Sequence, residues 1–149
     1  MRIAGIMENS IVDGPGIRVT VFVQGCDKAC RGCHNEQTWD YTQGTEWSTQ
    51  ALLSLVNEVS IEKKVTISGG EPLDQCDAVI DLLRELKAQG WNVWLYTGYV
   101  LENLTEKQRE VLQYTDVIVD GPYIEEQRSL DIEWRGSRNQ RILYNGKDY

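Results

Sequence analysis

Histidine and phenylalanine occur once each in this 149-residue chain, and proline three times. The lone histidine, His34, sits directly beside Cys33, and adjacent side chains are poorly disposed to share one ion. A mixed cysteine–histidine zinc site is therefore awkward to build. Basic residues are also short, at 15 Lys and Arg against 23 Asp and Glu, for a net charge of −8. That balance argues against a nucleic-acid binder, which needs a cationic face to displace counterions. It leaves room for a nucleotide-like cofactor or a protein partner with a basic patch. No run approaches the roughly 20 apolar residues of a membrane span. The opening "MRIAGIMENS" lacks the apolar core and cleavage site of a secretory signal, so a cytoplasmic protein is expected. No repeat, low-complexity tract or linker interrupts the chain, and nothing in it stands out as a general base or an activated nucleophile.

What remains is the pattern of one α/β domain over residues 1–149. Alternation and β-branched content predict strands at 2–7, 18–23, 64–69, 92–97, 116–121 and, more weakly, 140–145. Helical stripes fall between several of them: Leu52, Leu55, Val56 and Val59 behind an N-capping Ser48, then Val79, Ile80, Leu83 and Leu86 with Gly90 as the stop. Thr105 and Gln108 have capping-box spacing. Alternating strands and helices predict right-handed crossovers and a mostly parallel sheet. A closed eight-stranded barrel takes about 250 residues. The expected fold is thus an incomplete, TIM-like β/α barrel open on one side, with five or six mostly parallel strands and three or four helices. The distinctive residues gather at strand ends: Cys26 after the second strand, "SGGEP" (68–72) after the third, "YTGY" (96–99) after the fourth and "DGPY" (120–123) after the fifth. In parallel α/β folds those ends share the functional rim.

Three of the four cysteines, Cys26, Cys30 and Cys33, crowd into "GCDKACRGCHN" (25–35). A disulfide is disfavoured in a reducing compartment and would leave one thiol over. A structural zinc site wants four protein ligands, and Cys76 is the only further cysteine; its place at the start of a helix is equally explained by packing. An iron–sulfur cubane usually takes four thiolates. Three from one loop would leave one iron open, by the logic that separates catalytic from structural metal sites.

The Cys-x3-Cys-x2-Cys spacing resembles the cluster motif of radical S-adenosylmethionine enzymes, and "GGEP" at 69–72 resembles the motif that holds the methionyl end of their cofactor. The resemblance implies one [4Fe–4S] cluster on Cys26, Cys30 and Cys33. It also implies S-adenosylmethionine at the open iron and reductive cleavage to methionine and a hydrogen-abstracting radical. Residues 8–39, from "ENSIVDGPGIR" through the cysteine loop, resemble the activating enzymes of glycyl-radical proteins. The chain's short length, "WLYTGY", "DVIVDGPY" and "WRGSRNQR" narrow this to the activases of anaerobic ribonucleotide reductase. The longer pyruvate formate-lyase activases, a small-molecule radical synthase with a shortened barrel, and an iron–sulfur electron-transfer protein are the alternatives. The chosen resemblance implies an enzyme that leaves a glycyl radical on anaerobic ribonucleoside-triphosphate reductase, with a reductant such as flavodoxin.

It also implies residue roles. Gly69, Gly70 and Glu71 would receive the methionyl amine through backbone carbonyls and the carboxylate. Gly32, Cys33 and His34 would flank the adenine, although many relatives carry an aromatic residue where Gly32 stands, and His34 reads equally as a surface loop residue. Thr97 and Asp120 would reach the ribose or cap their turns. Asp13, Gly14 and Gly16 would meet the partner's glycine loop, where "DGPG" is on physical grounds a turn. Arg135, Arg138 and Arg141 would contact the reductase or a cofactor carboxylate, and Trp39 and Trp134 would cover the cluster edge or pack in the core.

Overall fold

The computed structural model describes residues 1–149. Its strands are β1 (Arg2–Ser10), β2 (Arg18–Val23), β3 (Thr45–Glu46), β4 (Lys64–Gly69), β5 (Asn92–Tyr96), β6 (Val117–Asp120) and β7 (Arg141–Tyr144). Its helices are α1 (Thr49–Val59), α2 (Cys76–Ala88) and α3 (Glu106–Glu110), the last continued by a 3-10 turn at Val111–Tyr114. All strands join one mixed sheet in the order β3-β1-β2-β4-β5-β6-β7. The sheet does not close, and β3 and β7 are its edges.

The expected mostly parallel sheet is corrected. Only β2, β4, β5 and β6 run parallel, while β1 pairs antiparallel with β2 and β3, and β7 antiparallel with β6. The link between β1 and β2 covers only residues 11–17, too short for the dozen or more residues a parallel crossover needs.

The local signals behave as their chemistry requires. Ser48 Oγ accepts from the Ala51 N–H at the start of α1. Thr105 and Gln108 form the capping box of α3, each side chain taking the other's backbone N–H. Past the end of α2, Gly90 has φ +82°, a left-handed geometry that suits glycine.

Period-two alternation divides the sheet between two environments. On one face Val19, Val21, Val65, Ile67, Val93 and Leu95 join Leu52, Val56, Val79, Leu83 and Leu86 of the helices in a continuous apolar core. Trp94, Val117 and Val119 form a separate small cluster on the other, concave face, with Tyr96 and Trp134 against it. Burial on both faces explains why β2 and β6 are nearly solvent-free along their whole length and β4 through its centre.

The concave face is plugged at its lower end by the segment leading into β2. Arg18 is only 1% exposed there. It donates to Thr66 Oγ1 (2.8 Å), Val65 O (2.9 Å), Asn92 Oδ1 (2.8 Å) and Pro15 O (2.9 Å). Its guanidinium also lies 5.5 Å from the Trp94 ring centroid. Burial lowers its pKa to about 10, still charged at neutral pH. These bonds satisfy a buried charge that would otherwise be costly. "DGPGIR" is thus a turn locked in place by its own arginine.

Candidate active site

A cavity of about 580 Å³ opens on the concave face. Cys26, Cys30, Cys33, His34, Gly69 and Gly70 line it from the strand ends, and Asp13 and Thr97 reach it as well. Its far wall is the long β6–β7 connection, which supplies Tyr123, Trp134 and Arg135. Trp134 anchors that connection: its ring meets Trp94 edge-on at 6.2 Å and its carbonyl accepts from Tyr96 Oη (2.7 Å). Trp39 is also a wall residue, and its carbonyl accepts from the Cys26 N–H (3.1 Å).

The loop at 68–72 is welded to the root of the cysteine loop through main chain. Gly70 N–H donates to Val23 O (2.7 Å) and Glu71 N–H to Gly25 O (2.8 Å). A Cβ on Gly70 would lie 2.4 Å from Gly25 O, and one on Gly69, whose φ is +94°, 2.6 Å from Val23 N. No side chain fits at either position, which is why two glycines stand there.

Glu71 does not face the cavity. It is 1% exposed. One carboxylate oxygen accepts from Thr97 Oγ1 (2.7 Å) and Leu73 N–H (3.1 Å), and the other from Gly98 N–H (2.8 Å). Burial pushes its pKa up to about 7, opposed by those three hydrogen bonds and by Lys28. The carboxylate therefore braces the end of β4 against the end of β5.

Four more predicted residues are placed differently from expectation. Asp120 is 1% exposed and spent on structure: it accepts from Leu101 N–H (2.8 Å) and from Arg141 Nε (2.9 Å) and Nη2 (2.5 Å). Arg141 also binds Glu102 (2.8 Å), which accounts for one of the C-terminal arginines, and its bonds to Asp120 first and Glu102 second raise its pKa. Gly14 packs against Arg18 and Trp94, and Gly16 lies against Lys64 and Glu62, both outside the cavity lining. Gly32 (φ +77°) backs onto Glu125, so that His34 rather than Gly32 reaches the lining. His34 stacks at a tilt on Tyr123, with centroids 5.1 Å apart. Asp13 Oδ2 accepts from Ser10 Oγ (2.5 Å) and Thr20 Oγ1 (3.1 Å) at the edge of the cavity.

Cys76 lies apart from the other cysteines. Its thiol donates to Leu73 O (2.8 Å) within a second groove of about 510 Å³, and burial pushes its pKa up to about 11. It is not available as a fourth ligand to the loop.

Tyr99, Tyr123 and Lys28 were not singled out from the sequence. The two tyrosines sit in the strand-end motifs "YTGY" and "DGPY", so their position held the signal. Burial raises the Cys26 pKa above its ordinary value.

No three of the cysteine, histidine and acidic side chains converge on one point, as a single bound ion would require. A cubane asks for something else, since each thiolate takes a different iron. Three half-buried thiols spread over one wall fit that demand. The opposite wall offers a donor: the buried Nε of Arg135 has no hydrogen-bond partner.

Comparison with known proteins agrees with this reading of the thiols. A family described as a 4Fe-4S single cluster domain matches residues 12–143, which makes the chain a single-cluster iron–sulfur protein. Three anaerobic ribonucleoside-triphosphate reductase-activating proteins are similar to it over nearly their whole length. That of Vibrio cholerae is 37% identical over 89% of this chain and 90% of its own. That of Escherichia coli is 34% identical over 89% and 91%, and that of phage T4 38% identical over 90% and 88%. The chain belongs to the family of anaerobic ribonucleoside-triphosphate reductase-activating proteins. Among solved structures, QueE from Escherichia coli shares the fold, with a TM-score of 0.55 at 19% identity over 80% of this chain and 69% of that one.

Proposed function

We propose that this protein is a radical S-adenosylmethionine activase that places a glycyl radical on an anaerobic ribonucleoside-triphosphate reductase. The observation that carries the proposal is the single cavity shared by the three loop cysteines and the side-chain-free edge at Gly69 and Gly70. When bound, the [4Fe–4S] cluster and S-adenosylmethionine supply one electron and a cleavable sulfonium, and so a hydrogen-abstracting species.

The chain's own residues bind, orient and shield. The thiolates of Cys26, Cys30 and Cys33 hold the cluster and leave one iron free. The main chain at Gly69 and Gly70 receives the methionyl end, with no side chain to hold it off. Glu71 acts one step back, fixing Thr97 and Gly98 so that both strand ends keep their spacing. The spare N–H of Arg135 suits a carboxylate, and the tilted pair of His34 and Tyr123 gives aromatic surface for the adenine. Trp39 and Trp134 keep bulk water from the reacting centre.

The single domain over 1–149 reads as an incomplete barrel, and its open side suits a macromolecular substrate. Ile11 (67% exposed), Val12 (69%) and Leu130 (87%) stand on the lining of that mouth, an apolar contact surface for the reductase segment, with Asp13 beside it. Gly14 and Gly16 serve that surface indirectly, by shaping the turn that presents it. A flavodoxin-like reductant and a cytoplasmic setting complete the reading, and no helix is long and apolar enough to cross a membrane.

The test is electron paramagnetic resonance on the anaerobically reconstituted, reduced protein. A [4Fe–4S]⁺ signal that changes shape on adding S-adenosylmethionine, followed by a glycyl signal once the reductase is present, is the expected result. A cluster signal indifferent to the cofactor would overturn the activase reading in favour of electron transfer.

A further inference from the structure

The first half of the cysteine loop has almost nothing of its own to hold it. Residues 24–30 form no regular structure, and none of the main-chain N–H groups of residues 27–32 donates a backbone hydrogen bond. Ala29, between Lys28 and Cys30, sits at φ +48°, the left-handed region that costs a side-chain-bearing residue free energy. Whatever fixes Cys26 relative to Cys30 must come from outside the loop.

It comes from two tyrosines and one carboxylate. The Tyr41 ring lies over Gly25, so close that a Cβ there would sit 2.2 Å from Tyr41 Cδ1. The Tyr99 ring carries Lys28, with Nζ 3.2 Å from its centroid, a cation–π contact. Both hydroxyls donate to Asp74: Tyr41 to Oδ2 (2.8 Å) and Tyr99 to Oδ1 (2.7 Å). Each oxygen of one carboxylate thus sets one ring, and each ring sets one point of the loop, Gly25 before the first cysteine and Lys28 before the second. Asp74 belongs to the 3-10 turn that starts at the proline of "GGEP" (residues 72–75), so the clamp also ties the loop to the second motif. The raised pKa of Tyr99, caused first by its bond to Asp74, keeps that donor protonated.

We infer that Asp74 is a positioning residue for the cluster, acting through Tyr41 and Tyr99 to hold the Cys26–Cys30 half of the loop in its ligating shape. The inference rests on reading Cys26, Cys30 and Cys33 as the cluster ligands. It assigns no contact between Asp74 and any bound group.

The test measures how fast the reconstituted full-length protein loses its cluster to a chelator, followed by the visible absorbance of the cluster. The shape of the reduced cluster's paramagnetic signal is recorded alongside. Asp74 is exposed and outside the core, so Asp74→Ala should fold, and a denaturant melt of the cluster-free variant should match wild type. Cluster loss should be about tenfold faster for Asp74→Ala and Tyr99→Leu, the scale of losing charge-assisted contacts. Tyr99→Phe keeps the ring under Lys28 and should fall between these and wild type. Lys28→Met should add nothing on top of Tyr99→Leu, because both act through one contact. Wild-type rates in Asp74→Ala and Tyr99→Leu, or full additivity of Lys28→Met and Tyr99→Leu, would overturn the clamp while leaving the cluster reading intact. A wild-type protein that takes up no cluster at all would overturn both.

Discussion

Two loops meet at the cavity and are built by opposite means. The segment at 68–72 is fixed by main chain, with Gly70 and Glu71 bonded to Val23 and Gly25 and no space for a side chain between them. Its one carboxylate is buried and satisfied by three donors. The cysteine loop at 25–34 has a single backbone bond inside it, Cys33 N–H to Cys30 O (3.1 Å), and leans on Tyr41, Tyr99, Tyr123 and Glu125 from other elements. One loop is a rigid template set by folding. The other keeps its order through outside side chains and gains the rest when its thiolates take their ligand, because binding a metal also orders its ligands. Such a division suits a site where the cofactor's fixed edge and its metal must be registered against each other.

The sharpest way to break the comparison is to put a side chain into the template. Gly70→Ala drives a Cβ to 2.4 Å from Gly25 O, a backbone atom that cannot swing aside. Overpacking together with the loss of the two main-chain bonds should cost about 4 kcal/mol. Chemical denaturation of the cluster-free protein measures it. A loss under 1 kcal/mol would mean that the 68–72 loop is as adaptable as the cysteine loop.

A somewhat smaller effect tests the template's buried carboxylate. The folded pKa of Glu71 is about 7 against an ordinary 4.5, so between those values the native state binds more protons than the unfolded one. Stability from this group is therefore highest below about pH 4.5, falls as pH rises toward 7, and is flat above. The full fall is on the order of 3 kcal/mol. Glu71→Gln should abolish that slope, so that the denaturation midpoint of the variant changes less between pH 5 and pH 8 than that of wild type. Equal slopes would place the titration elsewhere.

How much of this was open to sequence reading follows the range of the interaction. Ser48, Thr105 and Gln108 were legible because a cap acts within three residues of itself. The two faces of β2 and β4 were legible as strands through their composition. All four rim motifs contribute to the cavity because strand ends of a parallel sheet share an edge. The antiparallel pairing of β1 was accessible from its seven-residue link to β2, whereas that of β7 was not, since the twenty residues at 121–140 are long enough for either direction. Asp120 shows the limit most clearly. It ends its strand where a site residue would stand, yet Arg141 on the neighbouring strand, 21 positions away, claims its carboxylate. Glu71 is the same lesson at shorter range: a polar motif residue can serve the site by holding the residues around it.

The smallest expected effect concerns the cysteine that belongs to neither loop. Cys76 opens α2 in the second groove, with its thiol on Leu73 O and its pKa raised to about 11 by burial, so it is protonated at neutral pH. What sets it apart from the loop cysteines is its place, bonded to a carbonyl in a groove that they do not line. Cys76→Ala should therefore leave iron and sulfide content per chain unchanged after reconstitution, with a stability loss of about 1 kcal/mol from the missing hydrogen bond and packing. Cys30→Ala, in contrast, should fail to hold a cluster. If Cys76→Ala also lost it, the site would be a four-cysteine cluster assembled by moving α2 toward the loop. No iron would then be left open for a cofactor, and the contrast between a rigid template and a ligand-ordered loop would fall with it.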